Sequence, residues 1–313
     1  MEEVSGAAAP RVSLGGFWRR LGAFAVDWMI LALGGGVVGQ LLFDQLAWLG
    51  GWDRLLGFVI ATLYFGLLDS GPFGASTPGK RALGLRVVDA AGRVVSLPKS
   101  MLRAGVLVAP IMFNGTIVVM SDASYGERAA SGLMGGLAIA SIYMLVFNRS
   151  TRQGLHDLAS GAFVVRGRAS RQAMSGMTLW RAHLAVAAIF VVTGVPISMA
   201  GYPVYVGFAP GISSKATLLP SLGRPLVRAA WIRWTPVEGT PRTCTSVTVS
   251  LRGTGVDDEE IARKVATGLV SRFHCHVDTN LAVRMVYGFD LGFAGGHRYR
   301  DYLIDADQFR GQP

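Results

Sequence analysis

The chain has 313 residues, 51% of them hydrophobic and only 16% charged, with a mean hydropathy of +0.40. That balance excludes an ordinary soluble domain, and the length accommodates a helical bundle plus one further domain. The formal charge of +10 would suit nucleic acid, but much of the Lys and Arg lies between apolar runs, where it orients membrane spans, and no recognition motif accompanies it. The lipid bilayer, not nucleic acid, is the expected partner.

Residues 1–15 form a short tail; Met1 to Pro10 is acidic and Ala-rich, and no cleavable signal peptide is read there. Five apolar runs then read as membrane helices: Leu21 to Phe43, Gly51 to Leu68, Met101 to Met120, Leu133 to Phe147 and Trp180 to Met199. The second and fourth fall near or below the roughly 17 residues that crossing requires. Positive charge alternates between the loops. Arg11, Arg19 and Arg20 precede the first run, Lys80, Arg81, Arg86, Arg93 and Lys99 fill the second loop, and Arg149, Arg152, Arg166, Arg168 and Arg171 fill the fourth. Those segments are expected in the cytoplasm, with the intervening Arg54 and Arg128 outside beside Asp53 and Glu127. This places the N terminus in the cytoplasm of a bacterial inner (plasma) membrane. An odd number of spans then puts residues 201–313 beyond it.

That tail reads as an α+β domain. Pro225 to Trp234 and Cys244 to Leu251 carry strand-type residues, Asp257 or Asp258 can cap a helix through Ile261, Val265, Leu269 and Val270, and Leu281 to Tyr287 and His297 to Ile304 are closing strands. The expected fold class is therefore an α-helical membrane bundle of about five spans with a C-terminal α+β extracytoplasmic domain. In an oxidising compartment, Cys275 is a candidate disulfide partner of Cys244. His274, Cys275 and His276 are consecutive and do not converge as spaced metal ligands do, so no metal is expected.

Asp27 is the most informative residue, because a carboxylate inside an apolar span costs roughly 2.5 to 3.5 kcal/mol on insertion scales and demands a partner or a watery cavity. Arg20 lies two helical turns earlier on the same face, and Gly34 continues that stripe, with Ala23 and Val38 nearby. An ion or proton site and a buried clamp between helices are both open readings. The stretch from Gly16 through Arg20 to Asp27 resembles the opening of the RDD family. Two later segments agree: Thr77, Pro78, Gly79, Lys80, Arg81 through Asp89 with Gly92 after it, and Arg152, Gln153, Gly154, Leu155, His156, Asp157 through Gly161, with Val164 and Val165 beyond. The resemblance covers residues 16–165. It implies a small helical membrane module, read here as four helices at 16–170, and it carries the family's Arg and two Asp onto Arg20, Asp27 and Asp157; the fifth helix at 171–200 and the outer domain at 201–313 depart from the family's minimal pattern. A cation/proton antiport role has been proposed for some RDD proteins, so the implied ligand is a monovalent cation or a proton.

Gly74 to Arg81 nearly spells a phosphate-binding loop, but Arg81 stands where Ser or Thr would hold magnesium, and Pro78 interrupts the amides. Lys80, Arg81 and Arg86 are instead expected to face anionic lipid headgroups. His156 with Asp157 could relay a proton, or Asp157 could pair with Arg152 or an N-terminal Arg; Asp69 could join the site or mark the interface. No nucleophile and base constellation and no cofactor motif stands out, so no cofactor is expected, and an enzyme acting in the outer compartment is a third and weaker reading without support from the residues. Two readings come before it: a transport-related protein with an Arg/Asp polar site, or a non-catalytic anchor whose outer domain binds a protein partner. An oligomer is compatible with either.

Overall fold

The computed structural model describes residues 13–50, 52–113, 125–167, 174, 178–208, 214–216, 227–235, 243–251, 254–274 and 276–309. The expected N-terminal tail, Arg11, the end of the third apolar run, Arg168, Arg171 and Cys275 lie outside them. By its contacts the chain divides into two compact units, one of residues 1–33, 57–114 and 132–195, the other of residues 34–56, 115–131 and 196–313.

The helices are α1 (Phe17–Leu41), α2 (Phe43–Leu49), α3 (Trp52–Leu68), α4 (Pro78–Ala82), α5 (Leu97–Phe113), α6 (Tyr125–Phe147), α7 (Leu155–Ser160), α8 (Arg181–Phe208) and α9 (Glu259–Phe273). Three segments are long and apolar enough to cross a membrane, Phe17–Leu41, Arg128–Phe147 and Arg181–Ala200, and α2 with α3 would add a fourth as a bent pair. The protein is thus a membrane protein with apolar spanning helices. Described α5 is shorter, at 17 residues, and carries Pro110 and a buried Arg103.

In the first unit, α1 buries Ala23, Asp27 and Leu31, a stripe at four-residue spacing on one helix face. Gly34 and Val38, expected near that face, are exposed. Exposed Val26, Met29, Ile30 and Leu33 cover the rest of α1, as a helix facing hydrocarbon requires. Helices α6 and α8 meet backbone to backbone. A Cβ on Gly194 would stand 2.3 Å from the Gly132 carbonyl, and one on Gly136 would stand 2.5 Å from that of Phe190. Such small-residue crossings let dispersion hold helices together where no hydrophobic driving force acts.

The bundle also carries a sheet that apolar periodicity did not announce. Strands β1 (Ser13–Leu14), β2 (Leu85–Asp89) and β3 (Ala162–Arg166) pair antiparallel in the order β1, β3, β2. Leu85, Val87, Ala162 and Val164 pack with Ala23 and Val95, while Val88, Phe163 and Val165 pack with Met174. Buried on both faces, β3 reads as a continuous short apolar run, which periodicity cannot tell from a loop between helices.

In the second unit, β4 (Ser214–Ala216), β5 (Val227–Thr235), β6 (Thr243–Leu251), β7 (Asn280–Asp290) and β8 (Gly295–Asp305) form one sheet in chain order. Only β6 and β7 are parallel, and α9 is their crossover. Asp258 caps α9 by accepting the Ile261 amide at 3.1 Å, and Ala262, Val265, Ala266 and Leu269 are buried. Strands β5 to β8 fall where β-branched and aromatic runs place them, whereas β4, a Ser-Lys-Ala segment, carries no such signal and was not expected. The β7–β8 hairpin is tied to the α2–α3 region of the same unit. Asp53 accepts the Asp290 amide at 2.8 Å, Arg54 pairs with the Asp290 carboxylate at 2.5 Å, and Phe43 meets Tyr287 and Phe289 edge to face. Cys244 is buried, and its amide donates to the His276 carbonyl at 2.8 Å.

Candidate functional site

Three carboxylates, two guanidiniums and one ammonium are buried together in the first unit. Asp27 is fully buried, and its oxygens accept three hydrogen bonds: from Tyr64 Oη at 3.0 Å, the Gly79 amide at 2.8 Å and Thr77 Oγ1 at 2.5 Å. None of these donors is charged. Among the described residues no Lys, Arg or His forms an ion pair with Asp27.

The Thr-Pro-Gly-Lys run explains itself here. Thr77 caps α4 by accepting the Lys80 amide at 3.3 Å while its own hydroxyl donates to Asp27. Pro78 opens the helix, where its missing N–H is not needed. Gly79 lets the α4 backbone lie against α1, since a Cβ there would stand 2.1 Å from the Ala23 carbonyl. Lys80 then grips Asp69, its Nζ reaching the two carboxylate oxygens at 2.8 and 2.6 Å.

Asp157 opens α7, where its Oδ2 accepts the Gly154 amide at 3.2 Å. The same oxygen takes Arg20 Nη1 at 2.7 Å, and Oδ1 takes Arg103 Nε at 2.8 Å. Arg103 bridges onward, with Nη1 on Asp69 at 2.8 Å. Arg20 also donates to the Gly15 and Val164 carbonyls at 3.1 and 3.4 Å, which ties α1 to β3. The chain Arg20, Asp157, Arg103, Asp69, Lys80 is therefore continuous. Burial makes each link costly to break, because the stranded charge has no water to turn to.

Several expectations are corrected by this geometry. Arg20 and Asp27 share a helix face as expected, but the face does not serve one polar site: about 10 Å of axial rise separates them, and each reaches another element. Lys80 does not face headgroups but is buried on Asp69, whereas Arg86 is exposed. Arg81 is also exposed and folds over its own loop, donating to the Phe73 and Ser76 carbonyls at 2.5 and 3.0 Å. Asp69 joins the cluster. Arg103 escaped the sequence reading, although an Arg inside the apolar run Met101 to Met120 carries the same signal as Asp27. Tyr64 and Thr77 left no comparable mark, since neither is unusual at the end of a span or in a loop.

A cavity of about 310 Å³ adjoins the cluster, lined by Arg20, Asp27, Lys80, Arg103 and His156 together with apolar side chains of α1, α5 and α6. His156 sits with Nε2 3.4 Å from Asp157, and its buried Nδ1 has no hydrogen-bond partner. Burial pushes the imidazole down to about 4; Asp157 opposes this, and Arg103, Arg20 and Lys80 add to it. Burial alone would raise Asp157, but His156, Arg103, Arg20 and the Gly154 amide outweigh it and hold the carboxyl well below the usual range. A pH dependence follows. Between the ordinary His pKa of about 6.5 and the folded value of about 4, the unfolded chain binds the proton and the folded chain does not. Stability should therefore fall as pH drops through that window, by roughly 3 kcal/mol from this residue, while Asp157 stays ionised. Chemical unfolding of wild type and His156→Gln across pH 7 to 4 checks this; parallel curves for the two proteins would refute it.

Apolar helices clasped by buried acids and bases define the first unit as a helical membrane module held at its polar segments by charge. Residues 14–161 match the model of the RDD family, and this module belongs to that family. No curated protein and no solved structure matches the chain.

Proposed function

We propose that this RDD membrane protein is transport-related, with Asp27 as the carboxylate that binds or relays a monovalent cation or proton. The observation that carries the reading is the contrast inside the cluster. Asp69 and Asp157 are neutralised by Lys and Arg, whereas Asp27 lines the cavity with neutral donors only. A buried carboxylate without a cation partner is the group most ready to take one. The positive-inside pattern supports a cytoplasmic N terminus and a C-terminal domain outside the inner membrane. Five spans would require α5 and the bent α2–α3 pair to cross as well. A Cys244–Cys275 disulfide suits that compartment.

The experiment is cation-dependent proton flux in proteoliposomes carrying wild type or Asp27→Asn, with folding of both verified. Flux in wild type that is lost in the folded variant supports the proposal; no flux from folded wild type removes it. A second reading then takes over, a non-catalytic anchor whose outer domain recruits a protein partner. It is favoured by the hydrogen bonds already in place on both Asp27 oxygens, which a purely structural clasp would also need.

A further inference from the structure

We infer that the end of the bundle where α1 begins and α6 ends holds a headgroup site for an anionic phospholipid, built from Arg19, Arg149, Arg152 and Arg166. The site is separate from Asp27 and does not require ion movement there. The four arginines come from three stretches of the chain, yet they line one concave pocket of about 600 Å³ to which the described residues contribute no Asp or Glu. A second hollow beside it shares Ser13, Arg19 and Arg166. Their lack of acidic partners sets them apart. Arg20, next to Arg19 in the chain, is held by Asp157, and Arg103 bridges Asp157 and Asp69. Among the described residues none of the four pocket arginines forms an ion pair, and Arg19 Nη1 makes only a long contact with the Leu83 carbonyl at 3.4 Å.

The turn that carries Arg149 and Arg152 is fixed from within. Buried Asn148 donates to Thr151 Oγ1 at 2.6 Å and to the Gln153 carbonyl at 3.2 Å, and its own carbonyl accepts the Arg152 amide at 2.9 Å. Arg152 stands at a positive φ of 51°, with its guanidinium against the entry to α1, where a Cβ on Gly16 would lie 2.9 Å from Nη1. Like charges gathered without acids repel one another, and a phosphodiester, which accepts paired N–H bonds from a guanidinium, relieves that repulsion. The surroundings select a lipid over a soluble phosphate. Phe17, Leu145 and Val146 share the pocket wall with the arginines. Trp18 and Leu21 on α1 and Val146 and Phe147 on α6 are exposed beside it. Both helices have the length and hydropathy of membrane spans, so this apolar surface faces hydrocarbon, with Trp18 at the level that Trp prefers. Acyl chains of a lipid whose phosphate sits on the arginines can therefore run along α1 and α6. Basic pockets of this kind between spans suit anionic headgroups, whereas a zwitterionic headgroup brings its own cation into a pocket that repels it.

The test titrates the full chain, purified in dodecyl maltoside, with phosphatidylglycerol or with phosphatidylcholine of the same acyl chains, and measures retained lipid by native mass spectrometry. Phosphatidylglycerol should bind saturably and phosphatidylcholine should not. Arg149→Gln combined with Arg152→Asn, since Asn tolerates a positive φ, should weaken phosphatidylglycerol binding by roughly tenfold to thirtyfold, about fivefold for each guanidinium. Arg19→Gln alone, at an exposed position, should cost about fivefold and decides the matter if the double variant does not fold. Arg86→Gln combined with Lys99→Gln removes the same charge from exposed positions outside the pocket and should change binding by less than about twofold. Equal retention of the two lipids, or equal weakening by the two double variants, would overturn the inference. So would displacement of phosphatidylglycerol by glycerol 3-phosphate at matching concentration, which would make a soluble phosphate the ligand.

Discussion

Asp157→Asn should destabilise the membrane module by about 3–5 kcal/mol, the cost of leaving buried charge without its partner. The residue is fully buried, and its two oxygens hold Arg20 and Arg103 at 2.7 and 2.8 Å. Asparagine keeps one acceptor oxygen but not the charge, and two guanidiniums then face each other across an amide. The loss should appear as a large drop in the thermal unfolding midpoint of detergent-purified protein and as reduced membrane accumulation. Combining Asp157→Asn with Arg103→Gln should cost less than the sum of the two single changes, since the second removes a charge the first has stranded. An unfolding midpoint equal to that of wild type would show that the network is not what holds α1, α5 and α7 together.

Gly79→Ala should be nearly as severe although it adds one methyl group. That methyl would stand 2.1 Å from the Ala23 carbonyl and 2.9 Å from the Asp27 carboxyl. Neither neighbour is the free end of a flexible chain, so α4 must withdraw from α1. Withdrawal breaks the 2.8 Å bond from the Gly79 amide and pulls Thr77 and Lys80 off Asp27 and Asp69. Overpacking costs typically 1–3 kcal/mol, and loss of the Gly79 amide's hydrogen bond to the Asp27 carboxylate adds about 1.5–3 kcal/mol. Lys80 should become accessible to an amine-reactive reagent from which it is shielded in the wild type. Equal labelling of Lys80 in the two proteins would argue that α4 stays docked. The mild comparison is Gly84→Ala in the adjacent turn, where nothing lies within 4 Å and the strain is only that of a positive φ of 66°.

The membrane character, the family and the special standing of Asp27 were legible in the chain alone, because each rests on a local property: run length, residues in register, and a carboxylate where hydrocarbon forbids one. Strand and helix positions of the C-terminal domain were legible for the same reason, since alternation and the Asp258 cap are written in neighbouring residues. Pairing was not. Arg20 and Asp27 share a helix face and suggested one polar site, yet Arg20 reaches 137 positions along the chain to Asp157 while Asp27 is held by Tyr64, Thr77 and Gly79. Which acid meets which base depends on how α1, α4, α5 and α7 approach one another, and that approach is decided by the bulk missing at Gly79 and by the small β1–β3–β2 sheet that sets α7 beneath Arg20. Burial follows from the same packing, which is why Lys80 and Arg103 become members of a closed network while Arg81 and Arg86, equal to them in composition, remain at the surface.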